Sequence, residues 1–425
     1  MPTEYYFISD LHVGGDATLD LCEFEPELID FLKDLEGKGE RTELIVNGDA
    51  FGFWELTEET GVAKLRRIEA NHPALFEQLR RTGERIRITL IPGNHDHELA
   101  SDPGFAEVLA EHNVHLEPAE HITRSVGGRK IWIEHGHQRD WFNRIADFGN
   151  AHATPLGYYL TSLVVSNAGK YAVFGKEPWL KDLESVQPNQ GIPHWLFSNY
   201  FYREMSPLIR MVTLPFILLF GLSAFALGGF ALEFTGILPT RYFYDLFSRD
   251  LGLLGNLLGM ILAVNAAVLA LMIVVSVPLG FIKRDVAKTL KRYGVKSIAE
   301  LLPEKRACYR AAARELFERD GEYAVFIYGH THDAFLERVG PGVLLNTGTW
   351  LRKLTRVRSR WRLPDVHYPT CQLHAFRITA EGSDVVAYYE GRPKKIVPGL
   401  TLVERLSIIG RRRPGPIEIP ARTVV

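Results

Sequence analysis

The chain has 425 residues, a formal charge of −2 and 46% hydrophobic residues. That balance supplies no global basic field for nucleic acid, and the length allows more than one structural unit. Three dispersed cysteines, Cys22, Cys308 and Cys371, exclude a disulfide framework and give neither a thiolate metal spacing nor an obvious nucleophile.

In chain order, an apolar β-type run from Tyr5 to Ser9 ends in Asp10-Leu11-His12, and a second from Leu44 to Val46 ends in Gly48-Asp49. A third, Ile86 to Ile91, leads to Gly93-Asn94-His95-Asp96, and a fourth, Ile131 to Ile133, to His135-Gly136-His137. The fifth, Ala324 to Tyr328, leads to Gly329-His330-Thr331-His332. Helical patterns over Phe24–Leu35 and Val62–Leu79 separate the first three runs, which predicts a layered α/β domain with the five strings at one sheet edge. Side chains two apart on a strand share a face, so Asp10 with His12, and His330 with His332, point at one spot. Carboxylate, imidazole and amide donors gathered this way suit a two-cation hydrolytic centre for phosphate esters. The scattered histidines outside these strings read as ordinary hydrogen-bonding residues.

Beyond Gln138 the chain turns aromatic-rich, with Trp141, Phe142, Tyr158, Tyr159, Tyr171, Phe174, Trp179 and Trp195, and reads as a helical cap over residues 141–210. No charged residue occurs from Met211 to Leu232 or from Leu251 to Ile282. As a helix the shorter stretch reaches about 33 Å, enough for a hydrocarbon core of roughly 30 Å. A two-helix transmembrane hairpin over 211–282 is expected, against the alternative of two buried core helices. Tyr242, Phe243 and Tyr244 supply interfacial rings in the short connection, and Gly255 and Gly259 make a weak G-x-x-x-G match. Arg203 and Arg210 precede the hairpin, and Lys283, Arg284, Lys288, Lys291 and Arg292 follow it, with only Arg241 and Arg249 between. Positive charge on the flanks places both catalytic halves on the cytoplasmic side of the inner membrane. Two crossings return the chain to its starting side, so His330 and His332 can join the earlier donors. The N-terminus opens on a strand rather than a basic, apolar leader, so no cleavable signal is expected.

Residues 283–320 read as a helical return segment and 321–397 as the C-terminal half of the core that residues 1–140 begin. After Asn346-Thr347-Gly348-Thr349-Trp350, His374–Ile378 and Asp384–Tyr389 alternate as strands expected to complete a second sheet. Residues 398–425 read as an irregular tail, in which Arg411–Arg413 is a solvated turn, with phospholipid contact the lesser reading.

Taken together the five strings resemble the calcineurin-like metallophosphoesterase family, over residues 1 to about 150 and about 320 to 350. The resemblance implies an αββα-type sandwich carrying the inserted cap and hairpin. It implies that Asp10, His12, Asp49 and His332 hold one divalent cation and that Asp49, Asn94, His135 and His330 hold the other, with Asp49 bridging. It further implies a metal-bridging hydroxide as nucleophile, His95 as the donor to a phosphoryl or leaving oxygen, and Asp96 to orient its ring. Manganese suits these donors, as do iron and zinc. His137 stays open between a ligand in place of His135, a substrate contact and packing. Within the family, the cap and membrane association look like the UDP-2,3-diacylglucosamine pyrophosphatases, although His95 stands where many of those enzymes carry arginine and the hairpin is additional. A lipid-linked phosphate or diphosphate is therefore the expected substrate. The alternatives are a tethered phosphatase or phosphodiesterase for a soluble ester, and a noncatalytic membrane adaptor.

Overall fold

The structure, a computed structural model, describes residues 2–14, 22–162, 185–186, 191–246, 249, 251–292, 306–361 and 363–425. Four parallel strands, β1 (Glu4–Ile8), β2 (Thr42–Asn47), β3 (Arg87–Ile91) and β4 (Val114–Leu116), form one side of the first sheet. The second sheet begins with the hairpin β5 (His121–Val126) and β6 (Arg129–Glu134). Beside β6 lies β7 (Tyr323–Tyr328) in parallel, followed by β9 (Gly342–Asn346) with the antiparallel edge strand β8 (Phe335–Val339), giving the order β5-β6-β7-β9-β8. A small third sheet joins β10 (Lys353–Val357), β11 (Val366–Leu373) and β14 (Arg392–Lys394).

The period-two alternation of the strands separates three cores. Tyr6, Ile8, Leu44, Val46, Ile88 and Leu90 face the helices Glu25–Glu36, Val62–Asn71, Pro73–Gly83 and Pro103–Ala110. Their neighbours Tyr5, Phe7, Ile45 and Ile91 face Ile131, Ile133, Val325, Ile327 and Leu345 of the other sheet. The far side of that sheet, through Phe326, Tyr328 and Leu344, packs on Tyr309, Ala313, Leu316 and Phe317 of the helix Ala307–Arg319. Helix, sheet, sheet and helix are thus stacked in four layers, as expected.

Three expectations need correction. The single helical pattern Val62–Leu79 is two helices, because Pro73 disfavours helical backbone at His72 and starts a new helix at its own N-terminus. The strands near His374–Ile378 and Asp384–Tyr389 are β12 (Phe376–Glu381) and β13 (Asp384–Tyr389), and they extend the first sheet. β12 runs antiparallel to β1 with Phe7 opposite Phe376, so the second sheet is completed by β9 and β8 instead. The tail is not irregular throughout: Thr401 and Glu404 form a capping box on the helix Leu402–Ser407, and β15 (Arg422–Val424) pairs with β13.

Of the cap, residues 163–184 and 187–190 lie outside the described ones, Tyr171, Phe174 and Trp179 among them. What is described is a short helix Leu156–Leu160, then a helix Ile192–Asn199 and a π-turn Tyr200–Glu204. The last two seat on the third sheet, with Phe201 and Tyr202 packed against Val357, Leu363 and Val366. From there the chain enters a 28-residue helix, Pro207–Phe234, which the 41-residue helix Gly252–Arg292 folds back along. Asn265 donates to Ser223 between the two helices at 2.7 Å, and the Phe243 ring of the connection fills the space a side chain at Gly229 would need. Among the described residues one stretch, Gly252–Ile282, is long and apolar enough to cross a membrane, and Phe220–Phe234 is a shorter apolar stretch. Residues 293–305 of the return segment lie outside the described ones.

Candidate metal centre

Each donor string occupies the loop that leaves the C-terminal end of a strand, and the parallel order β1-β2-β3 and β6-β7 brings those ends to one edge of the sandwich. The backbone there is strained. Asp10, His12, Asp49, His330 and His332 have φ between 48° and 64°, and among the described non-glycine residues only Asn113 and Trp361 also have positive φ. Such conformations cost roughly 1–3 kcal/mol each and persist only where surrounding contacts over-determine them. Two glycines permit the crowding: a side chain at Gly48 would collide with the His135 ring, and one at Gly93 with the Asp49 carboxylate.

Seven donors converge. Asp10, His12 and His332 make one group able to hold a cation, and Asp49, His135 and His330 make another. In the first, His332 Nε2 lies 3.1 Å from Asp10 Oδ1 and 3.2 Å from His12 Nε2. In the second, His135 Nε2 lies 3.1 Å from Asp49 Oδ2 and 3.2 Å from Asn94 Oδ1, which is 2.9 Å from His330 Nδ1. Asp49 Oδ2 is also 3.8 Å from His12 Nε2, so this oxygen lies between the groups, where a bridging ligand would sit.

Hydrogen bonds around the donors leave their lone pairs facing inward. His135 donates from Nδ1 to the Asn47 carbonyl at 2.9 Å, so Nε2 carries the lone pair. His330 directs Nε2 at Asp140 Oδ2, 3.0 Å away, which turns Nδ1 toward Asn94. Asp10 Oδ2 accepts from the Ser9 hydroxyl and the His330 amide, while buried Oδ1 accepts no hydrogen bond among the described residues. Asp49 Oδ1 accepts from the His95 amide at 2.8 Å. Acceptors facing acceptors in a buried space need a cation. Two donor atoms each about 2.1 Å from one ion, at octahedral or tetrahedral angles, lie about 3.0–3.4 Å apart, and the spacings in both groups are of this size. The residues present therefore fit a pair of divalent cations.

The electrostatics agree. Burial alone would raise Asp49, yet His135, His95 and His12 outweigh it and hold its carboxyl well below the ordinary range. Burial likewise raises Asp10, and His332 and His135 bring it below its usual value. Burial lowers His135, but Asp49 and Asp10 push it up to about 9, a proton standing in for a cation. His12, buried beside His95, is held down to about 3.

One expected role changes, and Glu55, Trp54 and Asp140 enter the site. Asp96 is not placed as the orienter of His95: its Oδ1 accepts from Gly93 N at 2.6 Å and its Oδ2 from Ala50 N and Phe51 N at 2.8 and 3.2 Å, which ties the Asn94 loop to the Asp49 loop. Burial and the charge of Asp49 push Asp96 up to about 7. At the His95 ring stands Glu55 instead, with Oε1 3.2 Å from Nδ1, while Trp54 stacks on the ring face at 3.9 Å. Both belong to the turn Phe53–Glu55, and both were missed. Asp140, the last residue before the expected cap and given no role, orients His330. His137 is fully buried in neither donor group, its ring 5.6 Å from that of His135, and burial holds its pKa well below the usual value.

The family model for calcineurin-like phosphoesterase matches residues 4–207, which include the first four donor strings. No curated protein matches the chain. Among solved structures, a predicted phosphoesterase from Streptococcus pneumoniae TIGR4 is 12% identical, covering 94% of each chain with a TM-score of 0.27. Vps29 from Entamoeba histolytica, as a single mutant, is 11% identical over 92% of this chain and 99% of its own, with a TM-score of 0.28. Wild-type Vps29 complexed with zinc is 10% identical over 92% and 98%, with a TM-score of 0.27. At those scores the three likenesses carry no weight, and the family match stands by itself: over residues 4–207 the chain matches the calcineurin-like phosphoesterase family.

Proposed function

We propose that the protein is a membrane-anchored, two-metal hydrolase of a phosphate ester or diphosphate on a lipid-linked substrate, its sandwich facing the cytoplasm. The observation that carries the hydrolytic part is the meeting of buried donors from both halves of the chain in two adjoining groups. Asp10, His12 and His332 would hold one cation, Asn94, His135 and His330 the other, and Asp49 both. Bound there, divalent cations supply Lewis-acid charge and lower the pKa of water toward neutrality. His95 is the proton donor for the leaving oxygen, its ring held by Glu55 and Trp54. Asp140 keeps His330 turned inward, and Asp96 fixes the spacing of two donor loops.

The membrane part rests on the paired apolar helices and the basic residues that flank them. Their position between the cap and the second half of the core favours a substrate carried on a lipid.

Product analysis tests this. Detergent-solubilised full-length protein with manganese, offered lipid phosphates and diphosphates, should release phosphate or a lipid monophosphate detectable by phosphorus NMR. Turnover of soluble esters alone would remove the lipid. Neither turnover nor metal binding would leave an adaptor. Reporter fusions within residues 238–248 should report the far side of the membrane, and a cytoplasmic signal there would reverse the topology.

A further inference from the structure

The C-terminal segment builds a second cationic site, well away from the metal donors in its chemistry and made of different elements. A cavity of about 480 Å³, within the size range of small-molecule clefts, is lined in part by Arg405, Arg411 and Arg413 and by Tyr368, Leu406 and Ile409. Among the described residues no carboxylate lies within ion-pair distance of those three arginines. Arg405 donates to the Leu400 carbonyl at 3.0 Å and Arg411 to the Ser359 carbonyl at 3.3 Å, while Arg413 lies 5.8 Å from the Tyr368 ring centre. The one acid of the helix, Glu404, is buried in its capping box and faces Arg203. Three cations with no acidic partner around a cleft form a site for an anion.

The outer surface of the same segment is apolar. Leu402 and Leu406, at i and i+4 on the helix, and Ile409 just beyond its end are 72%, 44% and 53% exposed. Trp361 is 56% exposed on the adjoining loop, which is tied to the helix by a 2.7 Å bond from Arg360 N to the Ser407 carbonyl. Position completes the argument. Tyr202 OH lies 3.5 Å from Ser407 Oγ, and Arg203 reaches the Gly399 carbonyl at 3.4 Å, only a few residues before the apolar helix Pro207–Phe234 begins. An apolar ridge, an exposed tryptophan and unpaired arginines beside a membrane-entering helix are the parts of an interfacial lipid contact.

We propose that this cavity binds the phosphate of an anionic phospholipid at the surface of the membrane that the hairpin spans, with Leu402, Leu406, Ile409 and Trp361 resting in the leaflet. The proposal depends on the hairpin but not on the hydrolytic reading.

The test uses the full chain in a neutral detergent, titrated with dioleoylphosphatidylglycerol or dioleoylphosphatidylcholine and read by native mass spectrometry. The wild type should prefer phosphatidylglycerol. The triple variant Arg405→Gln, Arg411→Gln, Arg413→Gln should bind it roughly 100-fold more weakly, and Arg413→Gln alone, which disturbs no backbone bond, about fivefold more weakly. Carbonate extraction of native membranes runs alongside and should leave every version in the pellet. Equal phosphatidylglycerol binding by wild type and variants, or its displacement by equimolar inorganic phosphate, with the chain still in the pellet, would overturn the cavity assignment alone. Release of the wild type by carbonate would overturn the hairpin, and the placement of the cavity with it.

Discussion

The metal-donor edge and the helical hairpin invert each other's chemistry. At the edge, Asp10, Asp49 and His135 are fully or almost fully buried, on a backbone that pays in strain for their convergence. Along the hairpin, Phe234 is 94% and Leu253 79% exposed, while the polar pair Ser223 and Asn265 is turned inward. Each region calls for its own surroundings: buried lone pairs facing one another suit cations, and under the proposed membrane anchoring the exposed apolar helix surface would face hydrocarbon. One region hides its polar groups and the other displays its apolar ones.

The largest expected effect comes at the oxygen between the two donor groups. Asp49→Asn should lower turnover roughly 10³-fold or more and reduce bound metal at both positions, because losing a cation removes several kcal/mol of transition-state stabilisation. Metal content by plasma mass spectrometry checks it, and two metals retained per chain would remove Asp49 from the bridging position. His95→Ala should keep the metals and lose roughly 10²- to 10⁴-fold in turnover, the range of a general acid. Glu55→Gln should lose less, roughly tenfold, as an orienting contact does. A Glu55 variant indistinguishable from wild type would detach that carboxylate from the chemistry.

On the hairpin side, Asn265→Leu removes the interhelical bond to Ser223 and should cost about 1 kcal/mol, seen as a lower melting point in detergent. Turnover of a soluble ester should not change, and a change would mean that the two regions are coupled. The smallest effect concerns acid sensitivity away from both. Burial, with Lys353 nearby, holds His374 down from 6.5 to about 4. A group whose folded pKa is depressed contributes stability above its unfolded pKa and loses it as pH falls toward the folded value. In metal-free protein, His374→Asn should flatten the fall in melting point between pH 6.5 and 4. A slope equal to that of the wild type would assign the titration to other groups.

The donors were legible because each string pairs unusual ligand types with the end of an apolar run, and the loop after a parallel strand is where such side chains gather. Glu55 was not legible: a single acid within Phe51–Leu56 looks like a turn residue until folding sets it against His95. Asp140 was hidden for the same reason, at what read as the margin of the cap. Strand alternation announces faces but not neighbours, so the placement of β12 beside β1, a pairing between the two ends of the chain, lay beyond any local pattern. The Thr401 and Glu404 cap did leave a sequence signal, the S/T-x-x-E spacing, but the helix it opens, Leu402–Ser407, is too short for a helical period to stand out.

The central position of β7 has a consequence for biosynthesis. A nascent chain that has emerged only as far as residue 322 has completed β5 and β6 but has no strand for the free edge of β6, and Val325, Ile327 and Leu345 are missing from the core that Ile131 and Ile133 share with the first sheet. Long-range parallel pairing of this kind is slow to close. During that interval the half-built sandwich is open to chaperones and proteases, and only a polypeptide that extends past His332 can complete the two donor groups.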